Sequence, residues 1–141
     1  MMIKHYGKIA VAIDFSKGSM KAFERALLVA KDNDASLQLV NVIDTKSFGS
    51  IAAYDLKYAE QLKQESLTKM EGLKNEAIAS GIPIVEVMVQ EGSPKEVLTE
   101  LPGVELLICG ATGVSNLEKI VIGSVAERIV RGATCDVQLV R

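Results

Sequence analysis

Tryptophan is absent from the 141-residue chain, and three tyrosines with three phenylalanines bring the aromatic share to only 4%. Few rings are therefore on offer for stacking bases, which disfavours extended single-strand nucleic-acid binding. Positive charge is not in excess either. Lys plus Arg number 16 against 18 Asp plus Glu, a formal charge of −2, so neither a general nucleic-acid surface nor an anionic-membrane surface is expected. One histidine, His5, and two widely separated cysteines, Cys109 and Cys135, cannot build a protein cage for zinc. His5 also has no serine or cysteine partner in register for a catalytic triad. The apolar run from Ile9 to Ile13 stops at Asp14, far short of the ~20 residues of a membrane helix, and nothing suggests export, so the cytoplasm is expected. Only three prolines occur, with no proline-rich or low-complexity linker, and the length suits a single domain over residues 1–141. A chain of this size hides roughly 70% of its unfolded surface on folding and needs no disulfide or metal to hold together.

What remains is rich in alternating periodicities. Ile9 to Ile13 reads as a parallel strand covered on both faces, followed by a turn at Asp14, Ser16, Lys17, Gly18 and Ser19. Met20, Phe23, Leu27 and Ala30 then mark an amphipathic helix that Asp32, Asn33 and Asp34 terminate. Leu37 to Ile43 is a second strand. Leu56, Ala59, Leu62, Met70, Leu73 and Ile78 fit a long helix ending at Gly81, after a stretch around Phe48 to Tyr54 that fits no single state. Ile84 to Val89 is a third strand, and Ser93, Pro94 and Glu96 place cap, first-turn proline and capping-box acid at the start of a third helix. Val104 to Cys109 makes a fourth strand. Ser124 to Arg131 makes a fourth helix, with Ser124 and Glu127 spaced as a second capping box, and Val137 to Val140 a last strand.

This alternation predicts an α/β fold: a doubly wound, five-stranded parallel sheet with helices on both faces. Right-handed crossovers make 3-2-1-4-5 the natural strand order. The order reverses between strands one and four, and a ligand crevice is expected beyond their carboxyl ends, reached by loops beginning at Asp14 and Gly110. After strand four come Gly110, Ala111, Thr112 and Gly113, then nine residues, then Gly123 and Ser124 at a helix start. Glycines three apart let backbone N–H groups approach an anion, and a helix start adds free donors and a positive dipole end, an arrangement that suits phosphate. The plainer reading is a glycine-bearing connection whose serine caps a helix. Neither the P-loop pattern nor the dinucleotide Gly-x-Gly-x-x-Gly is present. Asp14 has two readings as well, a ligand contact or a cap for its own turn. Lys17 reads as a solvated surface lysine and each cysteine as a small buried apolar residue.

The spacing Gly110-x2-Gly113-x9-Gly123-Ser124 resembles the ATP-binding signature of the universal stress protein family. Val125-Ala126-Glu127-Arg128 and Cys135 to Arg141 are similar to that family, as are Val11 to Ser16 and Val40 to Asp44, so the likeness spans essentially the whole chain. Ala111 and Thr112 stand where members often carry serine and histidine, and Asp136 replaces a common proline. The resemblance implies a small ATP-binding stress-response protein, usually a homodimer, with magnesium or manganese held through the phosphates. On matching positions Asp14 would meet the nucleoside and the backbone of Val42 would face adenine. Ala12 and the end of strand four would line the base pocket, and the segment from Gly110 through Thr112 to Gly113, with Gly123, Ser124 and Val125, would wrap ribose and phosphates.

Two rival readings use the same fold. A dimeric interaction module would bind no nucleotide; a flavin or phospho-acceptor protein would need flanking aromatic rings or an aspartate at the end of strand three, where Gln90 and Glu91 stand. The apolar last strand, Val137 to Val140, is an edge in the expected order and is the expected homodimer surface. No residue near the loop is an evident water-orienting group, so slow or absent ATP turnover is expected. A protein partner is expected without being identifiable.

Overall fold

The computed structural model describes residues 5–44, 52–112 and 122–141, with the backbone alone described for residues 52–56. Its elements run β1 (Lys8–Ala12), α1 (Lys17–Asn33), β2 (Ser36–Asp44), α2 (Ala52–Ala79), β3 (Val85–Gly92), α3 (Pro94–Thr99), β4 (Leu106–Gly110), α4 (Ser124–Gly132) and β5 (Asp136–Val140). The strands form one parallel sheet in the order β3-β2-β1-β4-β5, as the alternation predicts. Residues 45–51, which include the first four of the stretch left open above, lie outside the described residues, and residues 52–54 form the start of α2.

The two-residue period of the central strands divides the interior into two layers. Ile9 and Val11 of β1 and Leu106 and Ile108 of β4 point to one face, where Phe23 of α1 and Met70 of α2 cover them. Ala10, Leu107 and Cys109 point to the other, against Leu98 of α3 and Ile129 of α4. Helices therefore cover both faces. Ile9, Ala10 and Val11 of β1 are enclosed on both faces, which is why they are continuously apolar rather than alternating.

Helix periodicity holds with changes of detail. Along α1 the buried stripe is Ser19, Ala22, Phe23, Ala26 and Ala30, while Met20 and Leu27 pack only at its margin. Alanines bring the α1 backbone close to the sheet. On α2 it is Ala77, not Ile78, that is buried, and Ile78 is half exposed. That helix stops two residues before Gly81, whose positive φ of 111° carries the chain back so that the Ile82 N–H reaches the Ala77 carbonyl at 3.3 Å. β3 begins at Val85, one residue past the exposed Ile84, and continues beyond Val89 through Gln90 and Glu91 to Gly92, since β2 is long enough to pair with them.

Both expected capping boxes are absent. Ser93 is the N-cap of α3 and Pro94 its first residue, but no described side chain caps that helix end. α4 is capped by Gly123, which moves Ser124 to the first helical position and Glu127 to the fourth, one place too far to reach back. The Glu127 carboxylate instead accepts from Arg131 one turn ahead, at 2.7 Å. Among the described residues α1 carries a side-chain N-cap: the Ser19 N–H donates to Ser16 Oγ at 3.2 Å.

Ile108 is fully buried on the face that carries the larger apolar cluster, and its strand lies between β1 and β5. Ile108→Ala should lower unfolding free energy by about 2–5 kcal/mol, the range for a large-to-small core change; denaturant titration measures it.

Candidate functional site

The turn after β1 is ordered by a compact hydrogen-bond network. Asp14 Oδ1 accepts from the Ser16 N–H at 3.0 Å and from the Ser16 hydroxyl at 2.5 Å, and the Asp14 N–H donates to Ser19 Oγ at 3.2 Å. The plainer reading of Asp14, a cap for its own turn, is thus realised in these bonds, while the same residue also borders the crevice. Between the two, Phe15 takes a left-handed φ of 65°, which is rare for a bulky residue and clusters at functional sites. Its ring packs against the core, and Lys69 of α2 stands over it, the ammonium 4.8 Å from the ring centre.

Across the crevice mouth, α1 and β4 meet backbone to backbone. A Cβ on Gly110 would lie 2.8 Å from the carbonyl carbon and oxygen of Gly18, and one on Gly18 would strike the Thr112 carbonyl. Gly110 is therefore required by helix seating, a cause different from the anion approach its spacing suggests. From there the chain is held at both ends of its long connection: the Ala111 N–H donates to the Val140 carbonyl at 2.9 Å, and the Gly123 N–H to the Ala111 carbonyl at 2.8 Å. Gly113 lies outside the described residues. Among the described residues no side chain caps the start of α4, whose first-turn N–H groups form the positive end of the helix dipole.

These pieces enclose a crevice of about 350 Å³ at the carboxyl ends of β1, β2 and β4. Ala12, Val40, Val42, Cys109 and Leu98 make it apolar inside, with Ile129 of α4 contributing as well. Asp14, Ser16 and Asp44 border it from the β1 and β2 side; Gly110, Thr112, Gly123, Ser124 and Val125 border it from the β4 and α4 side. Every described residue expected from the sequence is brought to this one place: Ala12, Asp14, Val42, Gly110, Thr112, Gly123, Ser124 and Val125. The sequence reading missed Gly18, whose need arises only from the approach of Gly110, and Leu98 and Pro94, which arrive by the α3 crossover. Lys17 is exposed and is not among the crevice residues.

Chemically, the crevice offers an apolar slot with carboxylates at one end and an uncapped helix start at the other. Burial pushes the Cys109 thiol up to about 11, so it stands as a neutral packing group. Because the folded state favours the protonated thiol, that contribution to stability is present below the ordinary value of 9.0 and is lost as pH rises through about 11. No group of three or more metal-ligating side chains occurs among the described residues. Nor is any helix long and apolar enough to cross a membrane among them.

A parallel sheet in the order 3-2-1-4-5 with helices on both faces and a crevice at its switch point places the chain among the doubly wound α/β proteins. Within that class, the chain belongs to the universal stress protein family, whose defining pattern matches residues 5–141. It is 39% identical over 141 residues to a protein of Staphylococcus haemolyticus described as a universal stress protein, covering 96% of this chain and 85% of that one. Among solved structures it is similar to the universal stress protein UspA from Lactobacillus plantarum, with a TM-score of 0.91 and 22% identity over 99% of this chain and 100% of the other. A universal stress protein solved in complex with cAMP aligns with a TM-score of 0.73 and 23% identity, covering 98% of each chain.

Cys109 is 4% exposed, whereas Cys135 is half-buried. A thiol reagent at pH 8 should label Cys135 first and leave Cys109 intact until the fold opens; mass spectrometry of the labelled peptides gives the order.

Proposed function

We propose that the protein is a cytoplasmic stress-response regulator that binds ATP in the crevice and acts through its occupancy. One observation carries the reading: the uncapped start of α4 faces the same apolar slot that Asp14 and Asp44 border from the opposite side. A purine suits the apolar walls, sugar hydroxyls suit Asp14, and phosphates suit the N–H groups of Ser124 and Val125. The volume lies within the ordinary range for small-molecule sites. The cAMP complex of a structural neighbour supports an adenine nucleotide as the ligand class. Magnesium or manganese would enter on the phosphate oxygens, since the two bordering carboxylates lie at the β1 and β2 side.

Binding without efficient turnover is part of the proposal. Phosphoryl transfer calls for a positive group to answer developing charge and a residue to orient water, and no lysine, arginine or histidine is among the described residues of the crevice.

The test separates ligand from fold at the N-cap of α4. Asp is a preferred N-cap residue, and Gly123 has the extended backbone, φ −61° and ψ 155°, that this position needs. Gly123→Asp should therefore leave stability unchanged or raise it by a few tenths of a kcal/mol, while its carboxylate repels phosphate. Calorimetry should find ATP affinity reduced at least tenfold in a variant whose melting temperature does not fall. Unchanged affinity would sink the assignment, and no ATP binding by the natural protein would favour the interaction module instead.

We also propose that β5 forms a homodimer by pairing with its symmetry mate. It is an edge strand, Val137 and Leu139 on it are only half-buried, and nearby Val130 of α4 is 53% exposed. Light scattering should give twice the 15.2 kDa chain mass; a monomer at micromolar concentration overturns it.

A further inference from the structure

The turn that carries Asp14 runs between two fixed points. Behind it, Ile13 is tied at both backbone groups: its N–H donates to the Val40 carbonyl at 2.8 Å, and its carbonyl accepts from Asn41 Nδ2 at 2.8 Å. Ahead of it, Ser16 caps α1, and the close approach at Gly18 seats that helix on the end of β4. Asp14 and Phe15 alone lie between Ile13 and Ser16. The direction of the Asp14 carboxylate therefore depends on the backbone angles of Phe15.

A φ of 65° strains a phenylalanine, whereas a glycine would adopt it freely. Such a conformation persists where the surroundings over-determine it. Here the side chain shows what does so. Asp14 and Ser16 border the crevice, but the Phe15 ring packs against the apolar cluster that α1 and α2 cover on the other face of the sheet. Above the ring stands the exposed Lys69 of α2, its ammonium 4.8 Å from the ring centre, so the ring is held between core and cation.

We infer that Phe15 is a positioning residue for the ligand: its ring, clamped between the core and Lys69, keeps Asp14 turned into the crevice from the opposite face of the sheet. The inference rests on the nucleotide reading, in which Asp14 accepts from sugar hydroxyls. A carboxylate already aimed loses little freedom when the ligand arrives, which strengthens binding. Without the ring, the backbone at residue 15 is no longer held in one well and Asp14 turns toward water. α2 contributes none of the described residues of the crevice wall, yet through Lys69 and Phe15 it bears on affinity.

A double-mutant cycle and amide hydrogen exchange test this. Phe15→Gly permits the same φ and deletes the anchor; calorimetry on the folded variant should find ATP bound about tenfold more weakly, the scale of one hydrogen bond to a charged group. In an Asp14→Ala background, where no carboxylate remains to be aimed, the same change should weaken binding less than about twofold. Lys69→Met, away from the crevice, should weaken ATP binding about twofold, the scale of an exposed cation–π contact. It should also speed exchange of the Ser16 N–H, which reports its bond to Asp14, while exchange along β1 stays unchanged. A merely structural role would give equal losses with and without Asp14, and that result overturns the inference, as does natural ATP affinity in Phe15→Gly. If Phe15→Gly does not fold, Lys69→Met decides: unchanged Ser16 exchange overturns the clamp. Natural ATP affinity in Asp14→Ala overturns the inference and leaves the crevice reading standing, whereas absence of ATP binding by the natural protein overturns both.

Discussion

The approach of two backbones at Gly18 and Gly110 is the constraint from which the site follows. It seats the first turn of α1 on the end of β4 without an intervening side chain, and β4 is the strand at which the sheet order turns back. With α1 held there, the Asp14 turn falls at the mouth of the switch point. A bulkier residue at either position would separate helix from strand before it altered any side chain that borders the crevice.

Polarity within the crevice follows from the same placement. Carboxylates come from turns that leave β1 and β2, and amide donors come from the helix that follows β4, so opposite ends differ in sign while the slot between them stays apolar. Oriented amides inside a partly buried slot act on an anion with less screening than surface lysines, and require no long side chain to be ordered. This is consistent with a crevice built largely from backbone and small residues. The left-handed Phe15 belongs to the same economy, since a reversed residue between Asp14 and Ser16 lets the carboxylate fold onto the serine that caps α1.

The strands were legible because parallel strands covered on both faces leave continuous apolar runs, as in Ile9 to Ile13, and their order because crossovers are right-handed; β4 begins at Leu106, two residues later than expected, past the exposed Glu105. Helix faces were less so. Ala22, Ala26 and Ala77 are buried because the backbone comes close, a tertiary fact that weighting by side-chain size hides. The start of α4 at Ser124 was read correctly, but its cap was misplaced by one residue because Ser124 is the better capping residue in isolation, whereas Gly123 is held in place by the Ala111 carbonyl. At the site, glycine spacing pointed to the right loop, but the partner that makes Gly110 necessary lies on another element. The bond from Asn41 Nδ2 to the Ile13 carbonyl was illegible for a similar reason: an asparagine in an apolar run signals a buried polar group without naming the carbonyl it meets.

The bond from Gly123 to the Ala111 carbonyl also bears on how such a chain can vary. Once the two ends of a connection are pinned together, its closure entropy rises only logarithmically with length, about 0.6 kcal/mol for each doubling. The closure part of the cost of an insertion or deletion between those ends is therefore small. Chain entropy by itself sets little limit on how many residues can run from Ala111 to Gly123.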